Sequence, residues 1–205
     1  MHEFVLVPEG RMDFELLGLL SKAVDLHQAW QAPQNCSFGS YVGIVPTHDS
    51  AVVATVEALR ELHPKIAALV DGDAAGLEYV QKLCDAGQPN SGVIIRWPNE
   101  WTIEDAIGWV VDANPEACIA DIVMENPPAT CADLVQRLKS PDRPAGGLKT
   151  DISSYEAVVD AIGSINACRA RALDLLEGLV IVQRRQPTAR FAQDPNNQAV
   201  WIFQP

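Results

Sequence analysis

The sequence has no apolar run long enough to span a bilayer and no closely spaced pair of cysteines. Its first residues, MHEFVLVPEG, also lack the basic start and the small-residue cleavage site of a signal peptide. We therefore expect a cytoplasmic protein with no membrane contact, whose thiols are reduced and mostly buried. The five scattered cysteines are Cys36, Cys84, Cys118, Cys131 and Cys168.

Basic residues are few: 15 Lys and Arg stand against 27 Asp and Glu, which gives a net charge of -12. Such a chain is not drawn to phosphate backbones, which argues against a protein that binds nucleic acid alone over a broad surface. A metal-dependent site is compatible with this charge, because bound cations reverse the local sign. The one notable basic cluster, RRQPTAR at residues 184–190, could contact phosphate, contact an acidic partner, or simply be solvated.

The chain has 205 residues, 48% of them apolar and 20% charged, which suits one globular domain with a sizeable core. Strand and helix patterns alternate four times over the first 113 residues. This alternation predicts an α/β fold with a mainly parallel four-stranded sheet flanked by helices on both faces. The predicted strands are 3–8, 41–46, 64–73 and 91–98, and the predicted helices are 11–26, 50–62, 75–87 and 102–113.

Several residues mark the predicted helix ends. Ser50 is a candidate N-cap, Gly87 suits a helix C-terminus, and Thr102 and Asp105 have the spacing of a capping box. Residues 114–205 are predicted as a helical extension that completes the same domain. This extension contains one short helix, a loop rich in Pro and Gly, one or two longer helices, and AVWIFQP as an edge strand at the end of the chain.

Two acidic segments follow the first and third predicted strands. Glu9 and Asp13 are four residues apart across a strand-to-helix turn. Asp71 and Asp73 lie on the same side if the strand continues through them, and like charges that close repel unless a cation neutralises them. A few carboxylates suffice to bind Mg²⁺, so these segments predict a divalent metal site. The alternative is a solvated acidic turn with a helix cap.

The order of these motifs resembles the Toprim domain of topoisomerases, bacterial primases and several nucleases. VLVPEGRMDFELL has its Glu-Gly after the first strand, and ALVDGDAAG has its Asp-x-Asp after the third. The resemblance covers roughly residues 3–113 and implies a Toprim, Rossmann-like core over 1–113. Within Toprim, the chain is most similar to the nuclease domain of the OLD (overcoming lysogenization defect) family. Three features carry that similarity: Asp13, the stretch RWPNEWTIEDAIG with Glu104, and Lys149 before a late helix.

The OLD resemblance implies a DNA endonuclease or nickase that uses two Mg²⁺ or Mn²⁺ ions about 4 Å apart. It favours DNA over RNA as substrate, is compatible with a role in phage defence, and leaves self-association open. OLD proteins carry an ATPase domain ahead of Toprim, so this chain is either a fragment or a stand-alone Toprim protein that works with a separate P-loop ATPase partner. Glu9 and Lys149 would act in catalysis, with Lys149 stabilising the charge of the transition state. The implied metal ligands are Glu9, Asp71 and Asp73 for one ion, and Asp13 and Glu104 for the second.

Some features depart from the family. PTHDS replaces the glycines that often follow the second Toprim strand, so His48 receives no role, and the chain has no GxxxxGK[S/T] loop. Two other functions therefore stay open: a Toprim-fold interaction or regulatory subunit that cleaves nothing, and a Toprim ribonuclease of RNA maturation. Trp97 and Trp101 flank the predicted site and could stack on a base. Gly72 and Gly76 are expected to be small because they lie near an ion and a phosphate.

Overall fold

The computed structural model describes residues 2–26, 37–86 and 92–205, so Gly87 and Cys36 lie outside the described residues. The strands of this part of the chain are β1 (Phe4–Pro8), β2 (Val42–Ile44), β3 (Ile66–Val70), β4 (Gly92–Arg96), β5 (Phe191–Asp194) and β6 (Asn197–Phe203). The helices described are α1 (Arg11–Leu26), α2 (Phe38–Tyr41), α3 (Ala51–Arg60), α4 (Ala74–Asp85), α5 (Ile103–Val111), α6 (Pro115–Asp121), α7 (Cys131–Lys139), α8 (Ile152–Ser164) and α9 (Asn166–Gln183).

The strands form one six-stranded sheet in the order β2-β1-β3-β4-β6-β5. All neighbouring pairs are parallel except β5 with β6. The predicted α/β fold with a mainly parallel sheet is therefore confirmed, and β5 and the strand predicted at AVWIFQP, which is β6, extend the four predicted strands of the sheet. The prediction that AVWIFQP is an edge strand was wrong: β6 lies inside the sheet, where Val200, Trp201 and Phe203 are buried. The edge strand on this side of the sheet is β5, whose Ala192 and Gln193 are exposed, and β2 forms the other edge.

The sheet separates two apolar layers. Side chains alternate along the strands, so Leu6 and Leu69 face one layer while Val7 and Val70 face the other. The first layer contains buried residues of α1, α5, α7, α8 and α9, and the second contains residues of α3 and α4. Helices therefore cover both faces of the sheet, as the alternation of strands and helices predicts.

The region from residue 114 onward packs against the first half of the chain. α8 packs on α1, α7 packs on α5, and β6 pairs with β4. The region contains two strands as well as its helices, and the residues between Ser153 and Arg185 form two helices, α8 and α9. In the described ranges, no helix is both long and apolar enough to cross a membrane.

The strand order creates a switch point beside β1. The chain leaves β1 for β2 on one side, and it later returns to β3 on the other side. In open α/β sheets, ligands bind at the carboxyl ends of the strands where the order reverses in this way. Because Glu9 follows β1 directly and Asp71 follows β3 directly, both acids lie at this point.

Candidate functional site

A cavity of about 270 Å³ lies at the carboxyl ends of β1 and β3. Five of the six predicted site residues line it, although they come from widely separated parts of the chain. These residues are Glu9, Asp13, Asp71, Glu104 and Lys149. We call this space the carboxylate cavity.

Glu9 joins the ends of β1 and β3. Its backbone N–H donates to Leu69 O at 2.8 Å, and its carboxylate accepts a hydrogen bond from the Asp71 N–H at 2.9 Å. The side chain is buried. Burial raises the pKa of Glu9, while the bond from the Asp71 backbone opposes that rise and the charge of Asp73 adds to it. The Glu9 carboxylate is therefore held directly beside Asp71.

Asp13 lies in the first turn of α1 and is buried. One carboxylate oxygen accepts from the Trp97 indole N–H at 3.5 Å, and the other accepts from the Gly10 N–H at 3.3 Å. Burial, followed by the nearby charge of Glu104, raises the pKa of Asp13 to about 7. An acid that merely complemented the helix dipole would lie in solvent, whereas Asp13 points into the carboxylate cavity.

The pKa of Asp71 is raised further than that of Asp13. Burial raises the pKa of Asp71 to about 9, and the charges of Asp13, Glu9 and Glu104 act in the same direction. Its Oδ1 atom is buried and has no hydrogen-bond partner among the described residues. A buried carboxylate oxygen without a donor is costly, and a bound cation would remove both the repulsion and the missing contact.

Glu104 reaches the cavity from the start of α5. It is buried, and it accepts a hydrogen bond from the Thr102 hydroxyl at 2.5 Å. Asp105 accepts from the Thr102 backbone N–H at 2.7 Å, so the predicted capping box is present. Because Asp105 caps the helix, Glu104 is not needed for that purpose and its carboxylate lines the cavity.

Asp73 has a different place from the other predicted ligands. It is the N-cap of α4, it accepts from the Gly76 N–H at 2.8 Å, and it does not line the carboxylate cavity. The expectation that Asp71 and Asp73 share one side assumed that the strand continues through both. β3 ends at Val70, so the alternation of a strand no longer applies to them. Ser50 also occupies an N-cap position, at α3, but its side chain makes no capping bond.

Two glycines allow the backbone to approach itself closely near Asp71. A Cβ on Gly72 would lie 1.6 Å from Pro98 O, and a Cβ on Gly76 would lie 2.1 Å from Asp71 O. Gly72 also exchanges backbone hydrogen bonds with the loop after β4, donating to Trp101 O and accepting from the Glu100 N–H. The expectation that these residues are small because they lie near an ion and a phosphate stays a prediction. Close backbone contacts by themselves require both glycines, at Gly72 with the loop after β4 and at Gly76 with the backbone of Asp71.

Lys149 brings a cation to the rim of the carboxylate cavity. In the described part of the chain it makes no ion pair, while its neighbour Thr150 has a φ of 70°. A β-branched residue rarely adopts this conformation, so the surroundings must hold it. Buried Tyr155 does so, because its hydroxyl accepts from the Thr150 N–H and donates to Met12 Sδ on α1. This arrangement attaches the Lys149 segment to the helix that carries Asp13.

The loop after β2 also reaches the carboxylate cavity, and sequence reasoning gave it no role. Thr47 is buried, and its hydroxyl donates to Pro8 O at 2.5 Å, which fastens the loop to the end of β1. The next two residues, His48 and Asp49, line the cavity and are exposed. Asp49 has a φ of 48°. The one sequence signal that this loop reaches the cavity is the position of PTHDS directly after a strand.

The tryptophans near the site are structural. Trp97 is fully buried and packs edge-on against Phe203, with ring centroids 5.5 Å apart. Trp101 is half-buried and also packs on Phe203. The idea that Trp97 stacks on a base was wrong, because its ring belongs to the core. Its indole N–H instead holds Asp13.

The carboxylate oxygens suit a hard divalent cation such as Mg²⁺. Across residues 2–26, 37–86 and 92–205, however, no three His, Cys, Asp or Glu side chains are placed so that they could hold a metal ion as they stand. To coordinate a metal ion, the carboxylate side chains near Asp71 would therefore have to change their conformation. The chain matches no protein-family model, no curated protein and no solved structure in the comparisons made.

Proposed function

We propose that this protein is a Mg²⁺- or Mn²⁺-dependent nuclease of the Toprim type, most similar to the OLD family, that hydrolyses DNA phosphodiester bonds. One observation carries the proposal. Five acids from four segments line one cavity at the switch point of the sheet, where Asp71 Oδ1 is buried without a hydrogen-bond partner among the described residues. Structural packing alone does not account for such a concentration of like charge, because burying unpaired carboxylates costs free energy.

In this proposal, Glu9, Asp13, Asp71 and Glu104 hold the cation. Divalent cations supply Lewis-acid stabilisation and lower the pKa of water so that it becomes a nucleophile. Asp73 adds negative charge nearby but uses its carboxylate to cap α4. The metal ligands proposed here thus differ from those that the resemblance implies only at Asp73.

Lys149 would act on the phosphate from the rim of the cavity. It has no ion-pair partner in the described residues, so its ammonium is available to the charge that develops on the phosphate oxygens. Tyr155 positions the segment without touching the substrate. The net charge of -12 means that DNA affinity has to come from cations in the cavity or from a partner such as an ATPase subunit.

The test is plasmid cleavage with Mg²⁺ or Mn²⁺, comparing the wild type with Asp71→Asn. This substitution preserves the shape and removes the charge, and we expect cleavage to fall at least about a hundredfold. Asp85→Asn is the matched control, because Asp85 is an exposed acid at the end of α4 and lies away from the cavity. Structured RNA is included as a second substrate, since preferential cleavage of RNA would favour the ribonuclease.

Equal cleavage by the wild type and Asp71→Asn would sink the proposal. A second candidate would then stand, namely an interaction or regulatory subunit of the same fold that cleaves nothing. The absence of a preformed metal-binding group in the described residues favours this candidate, and so do the raised pKa values of Asp13 and Asp71, which permit a metal-free pair of protonated carboxyls. It predicts that Mg²⁺ neither binds nor raises the melting temperature, while a co-encoded ATPase is retained in a pull-down.

A further inference from the structure

A second cavity, of about 340 Å³, lies at the amino-terminal ends of the strands, opposite the carboxyl ends that form the carboxylate cavity. It is bounded by the starts of β1, β3 and β4, and by the residues where α9 ends. Five residues of extended strand cover about 17 Å, so this cavity is well separated from the carboxylate cavity. Its volume is within the range of pockets that hold small ligands.

Positive charge concentrates around this space. Lys65, Arg184 and Arg185 line it, and we call it the cationic cavity. Arg60 lies next to it, because its Nη2 is 3.1 Å from where a Cβ on Gly92 would stand. The cluster holds four of the 15 Lys and Arg residues of a chain whose net charge is -12.

Acidic side chains of the protein neutralise the charge of these cations only in part. Glu3 pairs with both Lys65 Nζ at 3.1 Å and Arg184 Nη2 at 3.5 Å, while Arg185 makes no ion pair among the residues described. Within the described ranges the Nε atom of Arg60 is buried without a hydrogen-bond partner, and burial lowers the pKa of this guanidinium. An incompletely paired, partly desolvated guanidinium is costly unless an anion approaches it.

Helix ends explain part of the arrangement. α3 ends at Arg60 and α9 ends just before Arg184, and cations are favourable at helix C-termini, each of which is equivalent to about half a negative charge. Lys65 lies in neither helix and precedes β3. The charge of Glu57 on α3 also acts on Arg60. Two acids and two half-charges at the helix ends still leave the four cations with a positive excess. Helix stabilisation alone therefore does not account for the cluster.

We propose that the cationic cavity binds a small phosphate-bearing ligand. Guanidinium groups match phosphate oxygens with two parallel hydrogen bonds, and Lys65 adds a point charge. The Phe4 ring supports the cations, since Lys65 Nζ lies 4.9 Å from its centroid and Arg184 Cζ lies 5.7 Å from it. The size of the cavity and its distance from the carboxylate cavity indicate a ligand distinct from any DNA that is cut there. The inference does not depend on nuclease activity.

The test is calorimetric titration with pyrophosphate and with inorganic phosphate, in EDTA and at constant ionic strength. EDTA removes divalent cations, so binding at the carboxylate cavity does not contribute. We compare the wild type with Arg184→Gln/Arg185→Gln. The control is Lys22→Gln/Lys82→Gln, which removes two positive charges away from the cationic cavity.

We expect pyrophosphate to bind the wild type, and Kd to rise about tenfold or more in the arginine variant while it stays unchanged in the control. Circular dichroism melting verifies the fold, and the single variant Arg185→Gln serves if the double variant does not fold. The proposal is overturned if the wild type gives no more heat than with NaCl, if both double variants lose affinity equally, or if the arginine variant binds like the wild type. It is also overturned if a single-stranded oligonucleotide displaces pyrophosphate, because the ligand would then be nucleic acid.

Discussion

Asp71 is the single side chain on which the site depends most. Its carboxyl group has a buried oxygen without a hydrogen-bond partner in the described part of the chain, and four further acids repel its charge. Glu9 is fixed to it through the Asp71 backbone N–H, whereas Asp13 is held by the Trp97 indole. The surroundings therefore fix the position of these carboxylates but do not neutralise them.

The pH dependence of stability should reveal this repulsion. The pKa of Asp71 rises from 3.8 to about 9 in the folded protein, and that of Asp13 rises from 3.8 to about 7. A raised carboxyl pKa means that the folded state binds more protons than the unfolded chain between the two values. The free energy of unfolding of the metal-free protein should therefore fall as pH rises from about 4 to about 9.

Thermal melting in EDTA at about pH 5 and about pH 8.5 tests this expectation. The wild type should melt at a lower temperature at the higher pH. In Asp71→Asn this difference should shrink by at least about 3 °C, the change that roughly 1 kcal/mol produces in a chain of this size. Added Mg²⁺ should raise the melting temperature of the wild type more at the higher pH. An identical pH dependence in both proteins would contradict the origin assigned to it.

The helix α4 depends on Asp73 for its first turn. Asp73→Ala removes the bond from the Gly76 N–H and should lower the free energy of unfolding by about 0.5–2 kcal/mol. Asp73→Asn should leave stability nearly unchanged, because Asn caps helices about as well as Asp. Urea unfolding measures both effects.

The same pair of variants separates the two roles of Asp73. If Asp73 only caps α4, Asp73→Asn should retain most of the cleavage activity. Loss of cleavage in a fully stable Asp73→Asn protein would instead make Asp73 a metal ligand, as the Toprim resemblance implies.

The start of α8 controls where Lys149 lies. Tyr155→Phe removes the acceptor of the Thr150 N–H and the contact to Met12 Sδ, and it should cost about 1–3 kcal/mol. We expect cleavage to fall in a protein that still folds, because Thr150 can then leave its left-handed conformation and take Lys149 with it. Plasmid cleavage and melting measure the two effects. Unchanged cleavage in a folded Tyr155→Phe protein would refute the positioning role.

The net charge of the whole protein is unfavourable for DNA binding. With a net charge of -12, we expect no detectable binding of a labelled duplex oligonucleotide in EDTA at about 0.15 M salt. Mg²⁺ or Ca²⁺ should restore binding by reversing the charge of the carboxylate cavity. Fluorescence anisotropy measures the affinity, and Asp71→Asn should show a smaller gain on addition of the cation. Tight binding in EDTA would show that the DNA surface lies elsewhere.

Much of this architecture follows from local patterns. The apolar spacing predicts a helix over 11–26, and α1 runs from Arg11 to Leu26. β1 and β3 lie inside their predicted ranges, and the acids directly after them indicate the site. These predictions succeed because helix and strand periods, and the residues that end them, depend on neighbours along the chain. The sequence did not predict α2, α6 and β5, because they are too short to show a clear apolar periodicity.

Contacts between distant segments determined the rest. The alternation of strands and helices is already a property of the sequence, as are the acids at strand ends and the negative charge. The strand order that places β1 between β2 and β3 depends on the tertiary structure, and so does the placement of Trp97 beside Asp13. The end of β3 at Val70 separates Asp71 from Asp73, and folding brings Lys65 and Arg184 together around one cavity. These features depend on which surfaces pack together, and packing joins residues that no local period connects.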